Sequence, residues 1–112
     1  MKIRRGEVIK INLNPTQGRE QRGNARPCLV LSNTKYNSSR RGIVIVTPLT
    51  STVKPQVKMM IPILSGYKAK GSVVAEQIRT VDLNSRWWQT TGEILPQKFV
   101  DRVVETFNLI VG

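Results

Sequence analysis

The sequence predicts a mostly β protein of the α+β class, with one helix at the C-terminal end. Short β-branched stretches separated by polar turns recur through residues 8–82, which is typical of strands. Near the end, one segment has apolar residues at helical spacing. The 112 residues, 39% of them hydrophobic, suffice for one compact core. We therefore expect a single domain over residues 1–112, built as a small, strongly bent antiparallel sheet or partial barrel.

Six segments are predicted to be extended. In Val8–Leu13, the residues Ile9, Ile11 and Leu13 share one face, and Lys10 and Asn12 share the other. The remaining five are Cys28–Leu31, Ile43–Val46 ended by Thr47-Pro48, Val57–Ile63, Ser72–Ala75 and Glu76–Asp82. Between them, Ser32–Gly42 is expected to be a polar, basic connection. Trp87 and Trp88 are expected to serve as core or subunit contacts.

The predicted helix covers Pro96–Leu109. Proline is favoured in a first helical turn, and Phe99, Val103 and Phe107 form one apolar stripe. Asp101 and Glu105 fall on the opposite face, where we expect solvated side chains and not a site.

The charge points to a polyanionic partner. Lys and Arg number 18 against 7 Asp and Glu, a net charge of +11. Such a domain is expected to bind nucleic acid, an anionic membrane surface or an acidic protein. A generally basic, soluble surface is the alternative. Residues 1–56 hold eleven basic and two acidic side chains, and this grouping favours a binding face.

Other features of the composition exclude several classes of site. The chain has no histidine and a single cysteine, Cys28, so a cysteine-rich zinc site and an intramolecular disulfide are excluded. The acids are scattered, and a nuclease of this composition is expected to work without a metal or other cofactor. There is no apolar run of membrane-spanning length and no signal peptide, so we expect a cytoplasmic protein.

The longest predicted loop, Pro15–Pro27, connects two apolar stretches. Loops of this length between strands are usually functional or disordered. It holds three arginines around one carboxylate, Glu20: Arg19, Arg22 and Arg26. Guanidinium groups on a loop anchored by strands can bind phosphate. A second candidate feature is Leu49–Thr52, whose hydroxyl groups either cap a turn or contribute to a site.

Several stretches resemble the MazF/PemK family of toxin endoribonucleases. These are R-G-E-V at Arg5–Val8, L-N-P at Leu13–Pro15, G-R-E-Q-R-G at Gly18–Gly23, R-P-C-L-V-L at Arg26–Leu31, V-T-P-L-T-S at Val46–Ser51 and E-Q-I-R-T-V-D at Glu76–Asp82. They cover essentially the whole chain in order. One departure is that Asn24 and Ala25 separate the loop glycine from the Arg-Pro pair, where the family usually has one residue.

The resemblance implies an SH3-like barrel of the MazF/CcdB type and a symmetric homodimer in the bacterial cytoplasm. It also implies metal-independent cleavage of single-stranded RNA at short sequences, leaving 2′,3′-cyclic phosphate and 5′-hydroxyl ends. The implied partner is an acidic, MazE-like antitoxin, and operator DNA would be bound only through that antitoxin.

The residues carried over divide into two groups. Arg26 is expected to stabilise the phosphate and to protonate the leaving oxygen, and Thr50 to donate its hydroxyl to the phosphate. Glu20 is one candidate for the base and Asp82 is the other. The residues expected to contact RNA are Arg19, Gln21, Arg22, Ser51, Lys54, Gln77, Arg79 and Asp82.

Two other classes of function compete with this interpretation. The gyrase-inhibiting toxins of the CcdB type share the expected fold but depend on a tryptophan near the C-terminus, where this chain has Asn108–Gly112. A degenerate, non-catalytic nucleic-acid-binding module is the second alternative, and turnover of RNA distinguishes it from an enzyme.

Overall fold

The protein is described here from a computed structural model, which covers residues 2–13 and 25–112. The strands are β1 (Glu7–Asn12), β2 (Ala25–Val30), β3 (Ile43–Thr50), β4 (Met60–Pro62), β5 (Ser72–Val74), β6 (Arg79–Asp82) and β7 (Trp88–Ile94), and the helices are α1 (Thr34–Ser39) and α2 (Gln97–Val111). Two 3-10 turns, Ala75–Gln77 and Leu83–Ser85, flank β6.

The strands form one antiparallel sheet in the order β4-β5-β3-β2-β1-β7, with β6 also paired to β3. In the described part of the chain no pairing joins the two edges, so the sheet is open. The prediction of a mostly β fold with a C-terminal helix is confirmed, as a bent open sheet and not a closed barrel.

The central strand β3 changes its neighbour part-way along. Its first half pairs with β6, with Ile43 opposite Asp82 and Val46 opposite Arg79. Its last residues pair with β5, with Thr50 opposite Ser72. The 3-10 turn Ala75–Gln77 connects the two neighbours, and the Thr47 hydroxyl donates a hydrogen bond to the Val74 carbonyl at this point.

The two faces of the sheet bury separate apolar cores. One face packs on α2, where Phe99, Val100 and Val103 contact Val8 and Leu29, among other residues. The opposite face buries a core that includes Ile9, Ile11, Cys28, Val44, Val46 and Val81, with Leu13 and Trp88 packed against it. The predicted shared face of Ile9, Ile11 and Leu13 is therefore confirmed, and Trp88 contributes to the core.

Several predicted boundaries are wrong. The strand predicted to end at Thr47-Pro48 continues to Thr50. Pro48 is tolerated because the main-chain nitrogen of residue 48 faces the edge where the neighbour of β3 changes, so no regular ladder bond is lost. The predicted strand Val57–Ile63 shrinks to Met60–Pro62, because turns occupy residues 55–59.

Two elements were missed. The Ser32–Gly42 segment contains α1, which is capped by the Asn33 side chain accepting from Tyr36 N at 2.8 Å. Its buried Asn37 donates to the Ile3 carbonyl at 2.7 Å, so side-chain hydrogen bonds and not an apolar face hold it. The other missed element is β7, whose pairing with β1 contains a register shift between Glu7 and Ile9.

Two polar residues differ from their predicted environments. Asn12 was assigned to a polar face, but it is fully buried, and its carbonyl accepts from Arg86 at 3.1 Å. Asp101 of α2 is not simply solvated, because its carboxylate forms an ion pair with Arg5 at 2.9 Å. The helix itself is confirmed, with Pro96 as its N-cap. No described helix is long and apolar enough to span a membrane.

Gly71 provides a test of how closely the start of β5 packs on the end of β3. It has φ +93°, and a Cβ at this position would lie 1.9 Å from the Thr50 carbonyl oxygen. We expect Gly71→Ala to lower the free energy of unfolding by about 3 kcal/mol or more, from positive-φ strain and the clash together.

Gly66→Ala is the matched control, since Gly66 also has φ +93° but a Cβ there would meet nothing within 4 Å. It should cost only the positive-φ strain, about 1 kcal/mol. Chemical denaturation of both variants measures the difference, and equal losses would show that the close approach to Thr50 is unimportant.

Candidate active site

The candidate site is a cavity of about 320 Å³ at the start of β2 and the end of β3. Its polar lining brings together residues that are far apart in the sequence. They are Arg26 from β2, Thr50 from β3, Thr52 and Lys54 from the following loop, and Glu76 and Gln77 from the 3-10 turn. Val57, Met60 and Val74 provide its apolar wall.

Arg26 and Thr50 lie two residues beyond the last paired residues of β2 and β3. The β2–β3 register places Cys28 opposite Pro48, and continuing it by one alternate pair places Arg26 opposite Thr50. Directly opposed side chains in an antiparallel pair have Cβ atoms roughly 5 Å apart. The register of two strands therefore brings the two predicted catalytic groups together.

The Arg26 guanidinium is anchored on the main chain. Its Nη2 atom donates to the Leu49 carbonyl at 2.9 Å. The side chain is exposed, and among the described residues it forms no ion pair with a carboxylate. Its charge is thus available to an anionic ligand in the cavity.

The Thr50 hydroxyl is also placed by local structure. Its oxygen accepts a hydrogen bond from Thr52 N at 3.3 Å. A hydroxyl that accepts one bond retains its own proton as a donor. The turn-capping interpretation of the hydroxyl cluster is therefore confirmed for Thr50, whose hydroxyl still has a proton to donate. A contribution of this group to a site stays a prediction.

The structure does not bring all predicted residues to this cavity. Asp82 lies opposite Ile43 at the other end of β3, about 23 Å from Thr50 at roughly 3.3 Å per residue. Its carboxylate accepts from Asn84 N at 2.9 Å and caps the second 3-10 turn. Arg79, opposite Val46, is about 13 Å along β3 by the same measure.

Other predicted residues have different positions. Lys54 and Gln77 line the cavity, whereas Ser51 is exposed beside it and does not contribute to the lining. Arg19, Glu20, Gln21 and Arg22 lie outside the described residues. The strands that precede and follow them end at Asn12 and begin at Ala25, which is adjacent to Arg26.

Glu76 is the cavity residue that sequence reasoning missed. In the predicted extended Glu76–Asp82 segment, neighbouring side chains such as those of Glu76 and Gln77 would point to opposite faces. The observed 3-10 turn places both side chains at the cavity. The one available signal was its position next to Gln77 in the E-Q-I-R motif. Among the described residues, no group of three or more Cys, Asp or Glu side chains is arranged to hold a metal ion.

With this geometry established, the family model for the PemK-like, MazF-like toxin of type II toxin–antitoxin systems matches residues 4–111. The chain belongs to the MazF/PemK family. The endoribonuclease toxin MazF of Escherichia coli K12 is 28% identical over 107 residues, covering 96% of this chain and 92% of that protein.

Solved structures agree with this assignment. A crystal structure of MazF from Deinococcus radiodurans is 27% identical and covers all of this chain and 98% of that one, with a TM-score of 0.82. A MazE–MazF complex from the same organism covers 100% of this chain and 97% of that chain at 23% identity, with a TM-score of 0.81, and supports the fold.

Cys28 lies two residues after Arg26 on β2 and is completely buried. Burial raises the pKa of its thiol to about 12, although the charges of Arg26 and Arg79 act in the opposite direction. The reactive thiolate is therefore suppressed at neutral pH in the folded protein.

We expect the Cys28 thiol to resist iodoacetamide in native buffer at pH 8 and to react fully once the protein is unfolded in guanidinium chloride. Mass spectrometry of both samples measures the alkylated fraction. Rapid native-state alkylation would show that β2, which carries both Arg26 and Cys28, opens frequently.

Proposed function

We propose that this chain is the toxin of a type II toxin–antitoxin pair and that it is an endoribonuclease acting on single-stranded RNA. The observation that carries the proposal is the cavity in which Arg26, Thr50 and Gln77 converge in a member of the MazF/PemK family. Residues 1–112 form one toxin domain, which acts in the bacterial cytoplasm as a homodimer.

The proposed reaction is attack of a ribose 2′-oxygen on the adjacent phosphorus, with release of the 5′-oxygen. The products are a 2′,3′-cyclic phosphate and a 5′-hydroxyl. Because the nucleophile belongs to the substrate, the protein has to stabilise negative charge, accept one proton and supply another. A site without histidine meets the first requirement through guanidinium and hydroxyl donors.

Arg26 has the role of charge stabiliser. A guanidinium has several N–H donors in one plane, so the bond to Leu49 leaves others directed to a phosphate. It also protonates the departing 5′-oxygen late in bond breaking, when that oxygen is strongly basic. The Thr50 hydroxyl, from the same cavity lining as Arg26, supplies a further donor to the same phosphate.

The base is one of two carboxylates. Glu20 is the one acidic residue of the sequence between β1 and β2, and Glu76 lines the cavity. The position of Asp82 at the far end of β3 argues against it. The remaining polar groups, Lys54 and Gln77 of the cavity and Arg79 farther along the same face, are assigned to RNA together with Arg19, Gln21, Arg22 and Ser51.

The partner is an acidic antitoxin. The family model describes toxins of toxin–antitoxin systems, and the related Deinococcus protein was crystallised with MazE. A net charge of +11 favours association with an acidic chain. Occupation of the basic cavity by that chain would exclude RNA.

Digestion of a long single-stranded RNA in excess EDTA, with mapped 5′ ends, tests the activity. We expect discrete cuts that leave 5′-hydroxyl ends. We expect Arg26→Ala to lower the cleavage rate by at least about 10³-fold and Thr50→Ala by about 10²- to 10³-fold, the usual cost of losing a donor to the transition state.

Arg102→Ala is the matched control for charge, because Arg102 is an exposed arginine of α2. It should cleave at the parent rate. A folded Arg26→Ala variant with parent activity would remove Arg26 from catalysis. Absence of cleavage by the folded parent chain, free of antitoxin, would favour a non-catalytic binding toxin, and gyrase inhibition would be assayed next.

The identity of the base is tested with Glu20→Gln and Glu76→Gln. Replacing the group that accepts the 2′-proton should lower kcat and abolish the fall of kcat at acidic pH, because the titrating carboxylate is gone. The other substitution should leave that acidic limb in place. Two unchanged profiles would exclude both carboxylates as the base.

A further inference from the structure

The Leu49 carbonyl accepts a hydrogen bond from the Arg26 guanidinium. In a regular antiparallel sheet, a main-chain amide of the neighbouring strand would donate to a carbonyl at this position. Leu31 N donates to the Ile45 carbonyl at 2.8 Å, so the main-chain polar groups of residues 31 and 45 face each other, although Ile45 N donates to the Ser32 hydroxyl. Hydrogen-bonded and non-bonded pairs alternate along an antiparallel ladder. In the β2–β3 register the next position of this kind is Leu29 with Thr47. Continuing the register by one residue beyond its last pair, Cys28 with Pro48, makes Pro27 with Leu49 the position after it.

At this pair the ladder bond cannot form. An amide at position 27 would donate to the Leu49 carbonyl, but proline has no N–H. A main-chain carbonyl in a sheet is a strong acceptor that is normally paired. The Arg26 guanidinium takes the vacant acceptor, with Nη2 at 2.9 Å.

We propose that Pro27 is a positioning residue for Arg26: by withholding an amide from the Leu49 carbonyl, it keeps that acceptor open as the anchor of the guanidinium. The proposal rests on the proposed role of Arg26 in RNA cleavage. The proposal accounts for the adjacent positions of the two residues. Pro27 leaves the Leu49 carbonyl without a main-chain donor, and the side chain of the preceding residue, Arg26, supplies a donor in its place.

The anchor has a large effect because Arg26 has few other constraints. Its side chain is exposed, and within residues 2–13 and 25–112 the Leu49 carbonyl is the hydrogen-bond acceptor that it contacts. A long unanchored side chain samples many rotamers. Preorganised donors stabilise a transition state far better than mobile ones, so loss of the anchor should reduce catalysis more than RNA binding.

The test compares three chains that differ only at residue 27. One has the natural proline, one has Pro27→Ala, and one has N-methylalanine, which lacks the N–H but has no ring. Because Cys28 directly follows this position, native chemical ligation of residues 1–27 to 28–112 gives all three full-length proteins. The N-methyl group occupies the place of the proline Cδ, so the steric change is small.

We expect Pro27→Ala to lower kcat by on the order of 10- to 100-fold, the range caused by small misplacements of catalytic groups, with little change in KM. N-methylalanine should restore kcat to near the parent value. A Pro27→Ala protein with parent kcat would overturn the proposal. An N-methylalanine protein as slow as Pro27→Ala would also overturn it, because the ring and not the missing donor would then be responsible.

A structural readout separates this proposal from the proposed function. In Pro27→Ala, NMR hydrogen exchange should show a protected amide at position 27, and the Arg26 Nη2–H that bonds the Leu49 carbonyl in the parent should exchange faster. An unprotected amide overturns the proposal whether or not the protein cuts RNA. If the parent chain itself fails to cut RNA while these exchange results hold, the proposed function fails and the anchor stands.

Pro27→Val provides a second variant in case the alanine protein folds poorly. Valine also restores the N–H and is favoured in strands, so it should show the same loss of kcat and the same protected amide. A Pro27→Val protein with parent kcat would overturn the proposal in the same way.

Discussion

The change of neighbour along β3 is the constraint on which the site depends. One edge of β3 stays paired to β2, while the other passes from β6 to β5. A strand that changes partner needs a connection across the gap, and the Ala75–Gln77 turn is that connection. Because the turn lies beside the end of β3, it brings Glu76 and Gln77 to Arg26 and Thr50.

The alternation of main-chain directions lets both prolines of this region lie within strands. Even-numbered residues of β3 direct their N–H and C=O groups away from β2, so Pro48 lacks its donor at the edge where pairing is already interrupted. Pro27 faces the opposite situation, since its missing donor falls within the β2–β3 ladder. Pro48 therefore removes no ladder bond, whereas Pro27 leaves the Leu49 carbonyl without a main-chain donor, and Arg26 donates to it instead.

The sequence predicts the elements whose residues form a regular apolar pattern, and it does not predict the elements that are held by other interactions. Alternation identified β1, and apolar spacing identified α2, because each element buries one face against a core. β7 was not predicted because it is rich in polar residues and contains Gly92, which is unfavourable in a strand interior. Gly92 has φ +79° and lies where the register of β7 with β1 shifts. α1 was not predicted because it has no apolar stripe and is held by hydrogen bonds of the Asn33 and Asn37 side chains.

For the candidate site, the sequence identifies several of the cavity-lining residues but not how the fold arranges them. Arg26, Thr50 and Gln77 lie in the quoted motifs, and the fold brings them to one cavity with Lys54. The role of Glu76 depends on a turn that interrupts an apparently extended segment, and the remote position of Asp82 depends on strand register. The positions of Glu76 and Asp82 cannot be predicted from local periodicity, because both depend on the pairing of β3 with β6 and then with β5.

The environments of two arginines show why Arg26 suits an anionic ligand. Arg5 donates to the Leu31 carbonyl at 3.2 Å and also to the Asp101 carboxylate at 2.9 Å, so its charge is compensated within the fold. Arg26 has the same kind of carbonyl anchor, without a carboxylate among the described residues. A carbonyl fixes a guanidinium without neutralising it, whereas a carboxylate does both. The sheet therefore holds Arg26 in place while its full positive charge is available to a phosphate.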